Sequence, residues 1–279
     1  MRYLLLMALA TVLVCGGCSH VSSIGDGGAA DADTDGDTDS DSDADSDTDT
    51  DTDTGPNECT QDLGEYSGYF EILGQSDVTT LAGYTSISGN LYIDCPSCTD
   101  LSELICLNSV GEHFYIYDND ALTNLNGLNA LTSVSEYLSI TNNTALTDVD
   151  GLSALTSVGD SMAIHHNDAL TNLDGLSALT SVVWSLFIWD NAALTNIDGL
   201  SALTSMGGGL HISDNAALTN LDGLSALTSV GGGLYIYYNT TLPDCEVCDL
   251  LDQLTTVPFS IDVHDNLDDS CTPVPANCP

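Results

Sequence analysis

Six stretches of the chain set pairs of side chains around a recurring isoleucine, and these pairs carry the residue types most able to do chemistry. They are Tyr115 and Tyr117 around Ile116, Ser139 and Thr141 around Ile140, Ala163 and His165 around Ile164, Phe187 and Trp189 around Ile188, His211 and Ser213 around Ile212, and Tyr235 and Tyr237 around Ile236; Tyr92 adds to them from an earlier stretch. Stacked at ~4.8 Å on a solvent-facing sheet, they make an aromatic stripe. Large exposed apolar patches mark interaction surfaces. With Asp118, Asp190 and Asp214 beside them, the rings suit the faces of sugars or a protein partner. The competing expectation is structural, since cross-strand aromatic pairs also stabilise a sheet that binds nothing, or another part of the chain covers them.

Bond-making chemistry finds less support. His165 and His166 lie about two coils from His211, ~10 Å by strand spacing, too far for one ion to join them, so solvated imidazoles and no metal site are expected. Asp150, Asp174, Asp198 and Asp222 form a ladder of carboxylates. Neighbours ~5 Å apart repel by about 1 kcal/mol in water, which invites bound cations. The equivalent position in an earlier coil is Asn126, however, and a position that accepts Asn and Asp alike points to capping. The serines belong to the repeated wording, and no acid departs from the repeat to suggest a cleft. No catalytic set is therefore expected, and the chain reads as a non-enzyme that needs no cofactor.

These side chains must be placed by a repeat. Asn119, Asn143, Asn167, Asn191, Asn215 and Asn239 are each 24 residues apart, and so are Gly127, Gly151, Gly175, Gly199 and Gly223. Apolar positions keep the same step, in the isoleucines from Ile116 to Ile236, Leu122 to Leu242, Leu128 to Leu224, Leu131 to Leu227, and Val134, Val158, Val182, Met206 and Val230. Such a period means stacked coils, each too small to bury its own apolar face. Within a coil, Leu234 and Ile236 point inward while Tyr235 and Tyr237 point outward, the rhythm of a strand. Asn239 and its equivalents turn inward to satisfy the backbone of the bend. Asp222 caps a short helical turn bearing Leu224 and Leu227, Gly223 supplies a permissive backbone, and "TSVGGG" is a second short extended piece. Incomplete coils flank the regular ones at Leu81 to Ile93 and near Phe259. Cys59, Cys95, Cys98 and Cys106 cluster at one end, and Cys245, Cys248, Cys271 and Cys278 at the other. "CPSC" and "CEVC" have zinc-ligand or redox spacing, but in an exported chain disulfide staples on the end coils are the better reading.

The wording "LTNLDGLSALTSVGGGLYI" with terminal cysteine clusters resembles the receptor L-domain family over roughly residues 75 to 270. That resemblance implies an all-β-dominated, right-handed parallel β-solenoid with short helical turns and disulfide-rich caps, which binds by a sheet face without catalysis. A leucine-rich-repeat horseshoe is the neighbouring alternative, because "LxIxxN" and "LxxL" fit it too.

Charge narrows the partners. Forty-two acids face one basic residue, Arg2, so the phosphate neutralisation on which nucleic-acid binding rests is missing, and phosphate-clamping enzymes fall with it. Arg2 and the apolar run Leu4 to Val14 read as a signal peptide over residues 1–17. "LVCGGC" resembles a bacterial lipobox, which implies acylation at Cys18 and a membrane partner through the lipid; Cys15 departs from the usual Leu. Ser19 resembles an outer-membrane sorting residue, giving an outer-membrane-anchored protein on the cell surface or periplasmic face. Residues 18–58 form the lipidated Cys and a disordered tether, in which every odd position from Asp31 to Asp53 is Asp. Asp31 to Asp39 mimic a calcium loop around Gly36, but Thr38 and Ser42 break the pattern, so only weak, nonspecific calcium association is expected. Residues 59–279 are the solenoid. The functional expectation is a ligand-binding surface lipoprotein taking a glycan or a protein; the alternatives are a structural, self-associating envelope component and a calcium- or high-salt-adapted surface protein.

Overall fold

The computed structural model describes residues 59–256 and 258–268. The signal peptide, Cys18, the Asp-rich tether and the cysteines Cys271 and Cys278 lie outside the described residues.

The chain winds as a parallel β-solenoid in which each coil carries a strand on two runs, except the last described coil, which carries one named strand. A broad nine-stranded sheet is built from Phe70–Ile72, Leu91–Ile93, Phe114–Tyr117, Leu138–Thr141, Met162–His165, Leu186–Trp189, Leu210–Ser213, Leu234–Tyr237 and Ile261–His264, each pairing in parallel with the next coil. A narrow eight-stranded sheet runs from Gly64–Tyr66 and Tyr84–Ile87 through two-residue strands such as Ser181–Val182 to Ser229–Val230.

One-coil register explains the repeat. Leu186, Leu210 and Leu234 are hydrogen-bonded neighbours, as are Ile188, Ile212 and Ile236, so each apolar position becomes a column through the core. The isoleucines from Ile116 to Ile236 are 0% exposed. A further column, Leu125, Val149, Leu173, Ile197 and Leu221, is buried alongside them. No single coil buries this surface alone; the stack does.

The buried Asn column stitches the coils together. Asn191 Nδ2 donates to the carbonyls of Ile164 at 3.0 Å and Trp189 at 3.2 Å and to Asn215 Oδ1 at 3.2 Å. Its own Oδ1 accepts from the backbone N–H and Nδ2 of Asn167, both at 3.2 Å. The pattern repeats from Asn119 to Asn239 and passes to Asn266, so the bend's polar backbone is paired without water.

Two local expectations are corrected. Asp222 begins the 3-10 turn Asp222–Leu224 rather than capping it. The capping oxygen comes from two residues earlier, Asn220 Oδ1 accepting from the Asp222 N–H at 3.1 Å, with Asn196, Asn172 and Asp148 doing the same in their coils. Gly223 is likewise retained for space and not for a left-handed backbone. A Cβ there would fall on the Ile197 carbonyl oxygen of the preceding coil, and the same clash recurs at Gly151, Gly175 and Gly199.

The ends are stapled. Disulfides join Cys59 to Cys106 and Cys95 to Cys98 beside the short helix Gln75–Thr80. At the other end Cys245 and Cys248, in the helix Asp244–Gln253, are both disulfide-bonded. Among the described residues the last coil, around Phe259, gives the largely exposed strand Ile261–His264 and an isolated bridge from Thr256 to Ser229.

Candidate ligand-binding face

Side chains that leave the core side of the broad sheet fall into two outward columns. Parallel register sets Tyr92, Tyr115, Ser139, Ala163, Phe187, His211, Tyr235 and Asp262 one above the next. The second column holds Tyr117, Thr141, His165, Trp189, Ser213, Tyr237 and His264. Every ring expected on this face is there, and each is half-buried.

A continuous stripe does not form. Ser139, Ala163 and Ser213 are 4%, 2% and 2% exposed, because larger neighbours close over these short side chains, and the rings gather instead into three clusters.

The first cluster holds Tyr92 stacked on Tyr115, centroids 5.2 Å apart, joined by Tyr137 and His113 from the corner before the strands. Sequence reasoning missed both corner residues. Their column continues as Ser161, Ser185, Gly209 and Gly233, so a large ring where later coils keep a small residue was the available signal. Burial pushes the Tyr137 hydroxyl pKa up while a hydrogen bond with Ser139 works against it; burial, then Tyr92 and Tyr137, raise that of Tyr115. Tyr117, nearby, is pushed up to about 12 by burial and then by the charge and hydrogen bond of Asp94.

His165, His166 and Trp189 make the second cluster. His166 meets the indole edge-on with centroids 4.3 Å apart and pairs with Asp190. The expectation of solvated imidazoles is corrected here. His165 is packed against Trp189, and burial, aided by His166 and opposed by Asp190, lowers its pKa to about 4. Burial also lowers the pKa of His211, against the pull of Asp214.

The third cluster surrounds a hollow of about 550 Å³ on the face. Phe187, His211 and Tyr235 line one side, Tyr237, Tyr238 and His264 the other, and Asp262 adds a carboxylate. His211 Nε2 and the Tyr237 hydroxyl share a 2.8 Å hydrogen bond between the two columns. Tyr238 was not anticipated. It belongs to a column of left-handed residues, Asp118, Asn142, His166, Asp190, Asp214, Tyr238 and Asp265, with φ between 54° and 58°. Asp and Asn tolerate that backbone, whereas a bulky ring there costs strain. The left-handed turn holds Tyr238 edge-on to Tyr237 and His264.

Behind the ridge of Phe187, His211 and Tyr235 runs a smaller groove of about 290 Å³, reached by Trp184 and Phe259, which are 59% and 80% exposed. Hydrogen bonds from Gly208 to Trp184, Gly232 to Gly208 and Phe259 to Gly232 show that the glycines separate the two rings along a single column.

The carboxylate ladder is exposed and away from these hollows. Burial first, then Asp148 and Asp174, raises the pKa of Asp150. Among the described residues, no group of three or more His, Cys, Asp or Glu could hold a metal ion, and no helix is long and apolar enough to cross a membrane. No family model, curated protein or solved structure matches the chain.

Proposed function

We propose that this chain is a non-catalytic, exported lipoprotein whose solenoid presents the outer face of the broad sheet to a glycan or protein ligand. The observation that carries the reading is the third ring cluster, where half-buried and exposed rings from successive coils border a hollow of about 550 Å³ instead of packing it shut. Ring faces with carboxylates at their margin suit recognition, and fixed rings lose little conformational freedom on binding. The resemblance of the repeat to receptor L domains favours the same role. Acylation at Cys18, the acidic tether of residues 19–58 and outer-membrane placement rest on the sequence.

Glycan and envelope-protein panels titrated against the wild type, Trp189→Ala in the second cluster and Tyr237→Leu at the hollow test the reading. Binding weakened about tenfold or more by either substitution supports it, as expected for an aromatic anchor. Binding undiminished in both variants removes the face as the site. Self-association is the second reading, favoured by the exposed rings of Trp184 and Phe259; concentration-dependent sedimentation without ligand binding would support it instead.

A further inference from the structure

We infer that the hollow at the C-terminal end of the broad sheet seats an organic ammonium group, a methylated amine lying against the rings with its charge balanced by Asp262. The inference rests on the reading of this face as a binding surface and names the chemistry that the surface selects.

The walls supply the first reason. Phe187, Tyr235, Tyr237 and Tyr238 present aromatic rings around the hollow, and a cation within about 6 Å of a ring centroid is drawn to the ring's negative face. Tyr237 is held in place from both sides, by its hydrogen bond to His211 and by stacking on His264 with centroids 4.9 Å apart. The cage is thus pre-organised.

Charge supplies the second. The chain has no Lys, and its single Arg is Arg2, so no such side chain of the solenoid can occupy the rings. Burial lowers the pKa of His211, against the pull of Asp214, and so favours its neutral form. His264 makes its shorter contact with Asp265, 2.7 Å from Nδ1, against 3.6 Å from Nε2 to Asp262, whose half-exposed carboxylate borders the hollow.

Desolvation supplies the third. A primary ammonium is compact and strongly hydrated, whereas methyl groups spread the charge and fit apolar ring faces. An attached phosphate would meet Asp262 in the wall of the hollow, with no Arg or Lys in the solenoid to pair it. The site therefore favours a methylated amine that carries no phosphate.

The test titrates the full chain, followed by intrinsic fluorescence, with choline, phosphocholine and 3,3-dimethylbutan-1-ol, the uncharged carbon counterpart of choline. Choline should saturate the signal at least about tenfold more tightly than either of the others. Asp262→Asn and Tyr237→Leu should each weaken choline about fivefold or more, while Asp174→Asn, which removes an equal charge from the distant turn ladder, should not. Equal binding of the alcohol, tighter binding of phosphocholine, no choline binding, or affinity that survives both hollow substitutions overturns the inference. If choline fails while a glycan or protein still binds in a Trp189-dependent way, this inference falls alone; if nothing binds, the parent reading falls with it.

Discussion

The imidazole of His165 lies nearly parallel to the indole of Trp189, with ring centroids 4.2 Å apart and planes 12° from parallel, while its Nδ1 shares a 2.8 Å hydrogen bond with Thr141 Oγ1. This packing holds the neutral ring, and burial lowers its pKa from 6.5 to about 4. Between those values the unfolded chain binds more protons than the folded one, so the stability this group contributes is full above pH 6.5 and is lost as the pH falls toward 4. Because the ring is only half-buried, screening by solvent limits the loss to about 1–2 kcal/mol. Melting temperatures followed across that window should fall in the wild type and fall less steeply in His165→Phe. An identical slope in the variant would place the titration elsewhere.

Asn191 makes the second prediction, because its side chain serves two coils at once. Asn191→Ala leaves the Ile164 carbonyl and the Asn167 N–H without their partners. Each buried unpaired group costs about 1–3 kcal/mol, so urea unfolding should report a loss of about 3 kcal/mol or more. Asn196→Asp is the contrast. Asp148 already performs that turn-capping role in its own coil, and the change should stay within about 0.5 kcal/mol.

The core was legible in the sequence, while much of the ligand face was not, and the difference is physical. A parallel one-coil register makes residues 24 apart direct neighbours, so any column with one structural task repeats one residue type. Ile188 and Asn191 could be read that way. Outward columns have no shared task, and their arrangement depends on the shapes of neighbours. Tyr137 leans toward the sheet where Ser139 is short, and Tyr235 lies back over Gly233, whose missing Cβ would strike its ring. Periodicity carries neither fact. Asp222 and Gly223 show a subtler failure: the repeat was evident, but residue type alone gave the wrong reason for it. The cap lies at Asn220, and the glycine answers to a carbonyl one coil away.

That close approach makes Gly199 a sharp test of the packing. A Cβ at this position would overlap the Leu173 carbonyl oxygen, and backbone in the middle of a hydrogen-bonded stack cannot retreat without disturbing its neighbours. Gly199 does not adopt a positive φ, so conformational strain plays no part. Gly199→Ala should therefore destabilise by about 3 kcal/mol through overpacking alone, seen as a drop in the urea midpoint. Full stability in the variant would mean that the coils sit farther apart.

The exposed acids make the last prediction, which concerns salt. Asp150 stands between Asp148 and Asp174, and its pKa is raised by burial and by both of these carboxylates. The preceding coil carries Asn126 at the equivalent position, so the turn accepts an amide there. Asp150→Asn should raise the melting temperature in dilute buffer, by an amount equivalent to about 0.5 kcal/mol. At about 1 M salt the screening length drops to about 3 Å, shorter than the ~4.8 Å coil step, and the gain should vanish. Calcium separates repulsion from a bound ion. If the ladder holds calcium specifically, micromolar calcium should stabilise the wild type, a chelator should reverse this, and Asp150→Asn should lose the response; if it only repels, calcium and sodium should act alike at equal ionic strength.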